Sequence, residues 1–142
     1  MSLQIWDTRG YSDQFDRLHC LAYRNTDCLV FLYSISDRKS YSNILEKWMP
    51  ETDHYCPNVP RILLSTKIDL LEDKELLEKK KDENFVSTDE GMELQQKINF
   101  EFFLETSSKL HVNIDEILDA ISRTIEKRNL SKIKKEKECT IS

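Results

Sequence analysis

The stretch Cys28-Leu-Val-Phe-Leu-Tyr-Ser-Ile35 contains the longest apolar run of the chain, from Cys28 to Tyr33. An uninterrupted run of this kind is typical of a strand that is buried on both faces of a parallel sheet. It is much shorter than the ~20 residues that a helix needs to cross a bilayer. The run therefore predicts a buried strand, and the other elements are placed relative to it.

Three further strands are predicted around this one. Residues 3–6 precede it, Arg61–Thr66 follows it, and a last strand is predicted at residues 100–106. Because helical segments separate these strands, we predict an α/β fold with a mainly parallel sheet flanked by helices.

Helices are predicted where apolar residues recur at helical spacing. They are residues 13–24, residues 36–50 with Ser36 or Asp37 as the N-cap and Pro50 close to the end, and about residues 89–97.

The last helix has the clearest pattern, because its apolar residues form a single stripe. They are Ile114, Ile117, Leu118, Ile121 and Ile125. After Arg128 the stripe gives way to Lys, Glu and Ser residues, so residues 129–142 are predicted to form a flexible tail.

The composition excludes several classes of protein. The 142 residues carry 21 Lys and Arg against 26 Asp and Glu, a net charge of −5, which argues against nucleic-acid binding. The length fits one domain of ordinary size. The four cysteines lack C-x-x-C spacing and residues 1–5 lack the features of a secretory leader, so we expect reduced thiols, no zinc site and a cytoplasmic protein.

The glycine count gives a sharper exclusion. Gly10 and Gly91 are the only glycines in the sequence. A phosphate-binding G-x-x-x-x-G-K-[ST] loop needs two closely spaced glycines, and a dinucleotide fingerprint needs a third. The 142 residues therefore contain neither motif.

Polar side chains follow three of the predicted strands, at the edge where parallel α/β sheets bind ligands. They are Asp7 and Gly10 after the first strand, Thr66, Lys67 and Asp69 after the third, and Ser107, Ser108 and Lys109 after the fourth. Each group alone is common in solvated loops. Their order along the chain, however, fits a guanine-nucleotide fold.

Each group has a chemical reason to contact a guanine nucleotide. The Asp69 carboxylate can accept the two adjacent N–H groups of guanine, a pair that adenine lacks, while the Lys67 stem lies along the ring. The small residues after the fourth strand let backbone N–H groups approach the base oxygen. Asp7 can hold a magnesium-bound water, and Gly10 lets a backbone N–H reach a terminal phosphate.

Five longer motifs carry a family resemblance. They are Trp6-Asp7-Thr8-x-Gly10, Phe15-Asp16-Arg17-Leu18, Trp48-x-Pro50-Glu51, Cys56-Pro57-Asn58-x-Pro60 and Thr66-Lys67-Ile68-Asp69-Leu70. From about residue 3 to residue 128 the chain resembles the Rho family of Ras-superfamily small GTPases. The charged segment at about residues 71–85 takes the place of the helical insert that marks Rho proteins.

This resemblance implies a switch that binds GTP and GDP with Mg²⁺ in signal transduction and cytoskeletal regulation. The nucleotide-binding residues that it implies are Thr66, Lys67 and Asp69 at the guanine, Ser107, Ser108 and Lys109 in support of the base, Asp7 at the magnesium through water, and Gly10 at the γ-phosphate. The segment from Asp13 to Arg24 corresponds to the second switch, which binds Rho regulators and effectors.

Measured against that family, residues 1–128 correspond to a truncated G domain. The first strand, phosphate loop, first helix, first switch and second strand have no counterpart, so the expected fold is an incomplete P-loop NTPase-like, Ras-like G domain. We expect poor stability and no tight nucleotide binding. Arg9 replaces an Ala, and Tyr11 replaces the Gln that orients water, so no catalytic residue is assigned and hydrolysis is expected to be weak or absent.

Three interpretations of this pattern stay open. The sequence can be an incomplete form of a GTPase switch, a non-enzymatic interaction module that engages Rho regulators or effectors at a membrane, or the product of a decayed gene.

The end of the chain, Cys139-Thr-Ile-Ser142, fits a C-a-a-X box whose final Ser favours farnesylation of Cys139. The preceding residues 132–138 contain four Lys and two Glu. One lipid with a modest basic patch is a reversible anchor, so we expect peripheral attachment to the cytoplasmic face of membranes. The alternative is a chance terminal cysteine in a disordered tail.

Overall fold

The computed structural model describes residues 2–8, 21–73, 78 and 84–141. Its three strands are β1 Leu29–Ser34, β2 Arg61–Thr66 and β3 Phe102–Glu105. They form one sheet in the order β1-β2-β3, and both pairings are parallel. The predicted α/β class and parallel sheet are therefore confirmed.

Helices connect and cover these strands. They are α1 Arg38–Asn43, a π-helical turn Ile44–Trp48, α2 Met49–Tyr55, a 3₁₀ turn Ile68–Leu71, α3 Thr88–Ile98 and α4 Ile114–Ile141. The Asp37 side chain caps α1 by accepting hydrogen bonds from the amides of Lys39 and Ser40, as the sequence predicts.

The two faces of the sheet carry separate apolar clusters. On one face Phe31, Tyr33 and Leu63 pack with Leu94 of α3. On the other face Ile62 and Leu64 pack against Ala120, Ile117 and Ile121 of α4, so these members of the predicted stripe do face the sheet. Leu118 does not, since it is 46% exposed. Alternate residues of β2 enter opposite clusters because strand side chains alternate between faces.

An ion pair fixes α1 to the beginning of α3. The Arg38 guanidinium contacts both carboxylate oxygens of Glu90 and the backbone carbonyl of Phe85. Glu90 also completes a capping box by accepting from the Ser87 amide at 2.9 Å. The hydrogen bond from Arg38 is the main reason that the pKa of Glu90 lies below its ordinary value.

The segment at residues 3–6 is not a strand, contrary to the prediction. Residues 2–8 have no regular structure, and Ile5 and Trp6 are each 74% exposed. A strand forms only beside a hydrogen-bonded neighbour, and in the described part of the chain β1 pairs with β2 alone. Residues 3–6 pair with none of the described strands, so no ladder holds them in a strand.

Pro50 does not end the predicted second helix, because helical structure continues to Tyr55. The π-helical turn makes this possible, with the Met49 amide donating to the Ile44 carbonyl. Pro50 then falls in the first turn of α2, where a missing N–H leaves no helical hydrogen bond unmade.

The fourth predicted strand, residues 100–106, is shorter in the structure, where β3 is Phe102–Glu105. Phe100 belongs instead to the turn that ends α3. Its amide donates to the Gln95 carbonyl at 3.1 Å, and its ring is buried in the core.

The predicted flexible tail is helical as far as Ile141, because α4 continues without a break past Arg128. The sequence has no Gly or Pro after Gly91 that would end the helix, and Lys, Glu and Leu all favour helix. The apolar stripe ends before Arg128, but the helix continues to Ile141.

Gly91 lets α3 lie directly on the sheet. A Cβ at this position would fall 2.5 Å from the hydroxyl oxygen of Tyr33 and closer still to the Phe103 ring. Both rings belong to the strands beneath the helix, so a larger side chain would push α3 away from the core.

We expect Gly91→Ala to lower the free energy of unfolding by about 1–3 kcal/mol, because overpacking outweighs the better helix propensity of Ala. Urea denaturation followed by circular dichroism measures the change. Met92→Ala, at the next position and 48% exposed, is the control and should change stability much less. A more stable Gly91→Ala variant would show that the helix does not need this close approach.

Candidate functional site

The loops after β2 and β3 are joined at the carboxyl edge of the sheet. The Thr106 amide donates to the Ser65 carbonyl at 2.8 Å, and the Ile68 amide donates to the Thr106 carbonyl at 3.2 Å. The Thr66 hydroxyl donates to the Tyr33 carbonyl at 3.1 Å, which ties the end of β2 to β1. Two of the three predicted groups of polar residues therefore form one surface.

Asp69 and Ser107 are in direct contact in this surface. The Ser107 hydroxyl donates to Oδ1 of Asp69 at 2.6 Å and accepts a hydrogen bond from the Leu110 amide at 3.2 Å. Ser107 is fully buried, whereas Asp69 is partly exposed. The other carboxylate oxygen, Oδ2, makes no hydrogen bond with the described residues. Ser107 thus orients a carboxylate that can still accept from a ligand.

Lys67 has a left-handed backbone, with φ 64° and ψ 34°, directly after β2. This conformation is unfavourable for a residue with a Cβ, by about 1–2 kcal/mol. Neighbouring hydrogen bonds hold it, since the Thr66 carbonyl accepts from Ile35 and the Lys67 carbonyl accepts from Leu70. The Lys67 side chain is exposed beside Asp69, where its stem can cover a planar ligand.

The loop after β3 is closed by its own hydrogen bonds. Ser107 and Val112 exchange two backbone hydrogen bonds of 3.2 and 2.9 Å. The Asn113 side chain donates to the Glu105 carbonyl at 2.7 Å, which joins the end of the loop to β3. Ser108 and Lys109 lie exposed inside this closed loop, and their amides make no hydrogen bond with the described residues. Those amides can therefore donate to a ligand oxygen.

The remaining predicted site residues are not brought to this surface by the described structure. Asp7 is exposed in residues 2–8 and makes no hydrogen bond or ion pair with the described residues. Gly10, Tyr11 and residues 13–20 lie outside the described residues. Cys139 is exposed near the end of α4.

Cys28 and Cys56, the two cysteines that the structure describes within the domain, sit in surroundings that disfavour the thiolate. Burial raises the pKa of the Cys28 thiol to about 12 and also raises the pKa of the Cys56 thiol. Both groups are therefore protonated thiols at neutral pH. The form that attacks an electrophile or binds a metal is the thiolate.

A cavity of about 380 Å³ lies at the other end of the strands. Its lining includes Pro60 and Arg61 at the beginning of β2, with Thr124 and Arg128 of α4. It is separate from the loops that follow β2 and β3.

In the described residues no group of three or more His, Cys, Asp or Glu side chains is placed to hold a metal ion. None of the described helices has the length and apolar character needed to span a bilayer.

Two side chains of the site go beyond what sequence reasoning predicts. Ser107 is predicted to act through its backbone, but its hydroxyl positions Asp69; Asn113 is not predicted at all. Both lie within a few residues of a strand end, yet only the folded loop shows what their side chains contact.

A parallel sheet with helices on both faces and polar loops joined at its carboxyl edge is an α/β domain of the kind that binds ligands at its strand ends. A protein-family model, that of the Ras family, matches residues 1–127. The chain therefore belongs to the Ras family of small GTPases.

We expect Ser107→Ala to lower the free energy of unfolding by about 1–2 kcal/mol, because the Leu110 amide and the Asp69 carboxylate both lose a partner. Thermal unfolding followed by circular dichroism measures the loss. Ser108→Ala, at the exposed neighbour, is the matched control and should lie within about 0.5 kcal/mol of the unchanged protein. Equal effects of the two substitutions would contradict the role given to Ser107.

Proposed function

We propose that the chain is a Rho-type small GTPase switch that recognises the guanine base of GTP and GDP through Asp69. The single observation that carries this proposal is the Ser107–Asp69 hydrogen bond, which presents the carboxylate next to exposed loop amides. Membership of the Ras family supports GTP and GDP as the ligands.

Guanine fits this surface better than adenine does. A carboxylate has about four acceptor positions, and Ser107 occupies one, so both oxygens of Asp69 can accept from the adjacent N–H groups of guanine. The amides of Ser108 and Lys109 are available to the base oxygen. Adenine offers only one donor at this edge, so it leaves an acceptor position of the Asp69 carboxylate without a partner. A mismatch of this kind discriminates strongly against the wrong base.

The described residues fit the base, but they do not form a magnesium site. Asp7 is the predicted metal residue, and it is exposed without hydrogen-bonded neighbours among them. The 142 residues also contain no G-x-x-x-x-G-K-[ST] motif. We therefore expect base recognition with an affinity on the order of millimolar, since phosphate contacts add most of the remaining binding energy.

Base selectivity tests the proposal. In saturation-transfer NMR at about millimolar nucleoside, we expect signals from guanosine and not from adenosine. Asp69→Asn should lose the guanosine signal and gain one for xanthosine, because the Asn amide offers one donor and one acceptor in place of two acceptors. Asp89→Asn, on an exposed carboxylate of α3, should behave like the unchanged chain. Equal signals for guanosine and adenosine would contradict the proposal.

The Rho assignment rests on two motifs around α2, Trp48-x-Pro50-Glu51 and Cys56-Pro57-Asn58-x-Pro60. Cys56 in Cys56-Pro57-Asn58-x-Pro60 is buried, and the Pro60 carbonyl accepts from the Leu29 amide at 2.9 Å, so the motif forms the entry to β2. These contacts explain what the motif does in the fold. The proposed Rho subfamily is inferred from the resemblance of the motif to Rho proteins. The charged insert lies largely outside the described residues.

Regulators and effectors are the proposed partners of residues 13–24. The described end of this segment lies on α2, where Tyr23 stacks on Tyr55 with ring centroids 5.7 Å apart and donates to Glu51 at 2.5 Å. Leu21 and Tyr55 are 56% and 46% exposed there. Exposed apolar side chains next to a switch segment suit a protein partner.

A non-enzymatic interaction module is the second candidate function. The presence of Tyr11 where the family has Gln favours it, because a phenol cannot orient an attacking water as an amide does. Under this alternative the partner surface with Leu21 and Tyr55 is retained and the base selectivity described above is absent.

Attachment to the cytoplasmic face of membranes is proposed through a farnesyl group on Cys139. The terminal Cys139-Thr-Ile-Ser142 sequence supports it, and Cys139 is exposed on α4 as a modifying enzyme requires.

When the chain is expressed in eukaryotic cells, we expect mass spectrometry to find Cys139 farnesylated and the last three residues removed. Cys139→Ser should shift the protein from the membrane fraction to the soluble fraction. Thr140→Ala, which keeps the C-a-a-X pattern, should leave its distribution unchanged. An unmodified Cys139 followed by an intact Ser142 would contradict the anchor.

A further inference from the structure

The outer side of β1 pairs with no strand in the described part of the chain, where β2 is its one neighbour. The Leu29 amide donates to the Pro60 carbonyl, so Leu29 and the alternate residues after it direct their backbone groups to β2. The amides and carbonyls of Val30 and Leu32 therefore point away from β2. These groups, here named the β1 edge, can make the hydrogen bonds of a further strand.

The β1 edge lacks the features by which proteins discourage strand pairing. The strand Leu29–Ser34 has six residues, none of them charged and none of them proline. The other side of the sheet is different, since β3 has four residues, includes Glu105 and is preceded by Glu101. Short length and charge are common means of protecting a sheet edge. The outer side of β3 is therefore protected, whereas the β1 edge is suited to pairing.

Exposed leucines lie beside the β1 edge, on the sheet face that α4 covers. Leu32 shares this face with Val30, because strand side chains alternate, and it is 55% exposed. On α4, Arg128 contacts the residues before β1, whereas Lys127 forms an ion pair beside β3. Leu118 precedes Arg128 by ten residues, a rotation that turns it further from Lys127 and towards the β1 side. Since Leu118 is 46% exposed, the β1 edge has an apolar border.

The β1 edge is complementary to itself when two strands run antiparallel. A twofold axis at Phe31 places Val30 of each copy opposite Leu32 of the other. Each of the two pairs can exchange two backbone hydrogen bonds, so about four form across the axis. The Val30 and Leu32 side chains of both copies then lie on the same face of one continuous sheet, and Leu118 of each copy lies beside them.

We propose that two copies of the chain associate by antiparallel pairing of their β1 edges. The backbone groups of Val30 and Leu32 set the register, and burial of Leu32 and Leu118 adds apolar contact. Twofold pairing uses both β1 edges and leaves the protected sides of β3 at the ends of the combined sheet, so the assembly stops at two chains. The proposal depends neither on nucleotide binding nor on farnesylation.

Sedimentation equilibrium of the full chain, purified from bacteria, tests this inference. We expect monomers to be replaced by dimers as the concentration rises from about 1 to about 200 µM, because a small interface typically gives weak association. Leu32→Lys should weaken association at least about tenfold, since it places a charge on the edge. Leu118→Lys, on a separate element, should also weaken it, because the two added charges meet near the axis.

Hydrogen exchange followed by mass spectrometry locates the contact. In the peptide that contains Val30 and Leu32, amide exchange should slow as the concentration of the chain rises, and Leu32→Lys should abolish this dependence. Met92→Lys, at a side chain of α3 that is 48% exposed, is the matched control and should change neither association nor exchange. Urea unfolding at low concentration verifies that each variant is folded.

Three results would overturn the inference. The first is a chain that stays monomeric over the whole concentration range. The second is a dimer whose Val30 and Leu32 amides exchange as fast as those of the monomer, because association would then use another surface. The third is a monomer in which these amides are already protected, because another part of the same chain would then cover the β1 edge.

Discussion

The parallel pairing of β2 with both neighbours is the constraint on which the rest of the described structure depends. β2 is hydrogen-bonded to β1 along one edge and to β3 along the other. Its residues Ile62, Leu63 and Leu64 are at most 2% exposed, because α3 covers one face of the sheet and α4 the other. Burial on both faces fixes the register, since a slip by one residue would exchange the two apolar clusters. The loop after β2 therefore leaves the sheet at a defined place.

That register decides how the candidate site is built. The Ser65 carbonyl of β2 accepts hydrogen bonds from both the amide and the hydroxyl of Thr106, each at 2.8 Å. The first residue after β3 is therefore held against β2. Ser107 follows directly and reaches Asp69. The carboxylate is thus oriented by a chain of contacts that begins in the core.

The sequence is sufficient to predict the elements that have a strong local pattern. Arg61–Thr66 is an apolar run that ends in polar residues, and Ile117 and Ile121 of the predicted stripe pack on the sheet. Residues 3–6 also have a strand pattern but pair with no strand in the described part of the chain, so pairing outweighs propensity there. The role of the Ser107 hydroxyl cannot be predicted from sequence, because its partner is 38 positions away and their contact exists only in the fold.

The direction of α4 separates the candidate site from the end of the chain. The helix begins after the loop that carries Ser107 at the carboxyl edge of the sheet, and it leaves the domain at the amino edge, where Arg128 contacts Asp27 and Lys127 contacts Glu101 at 2.7 Å. The surface that holds Asp69 therefore lies at the opposite end of the strands from the tail. The proposed base site and the proposed attachment of the tail therefore use different surfaces and do not compete.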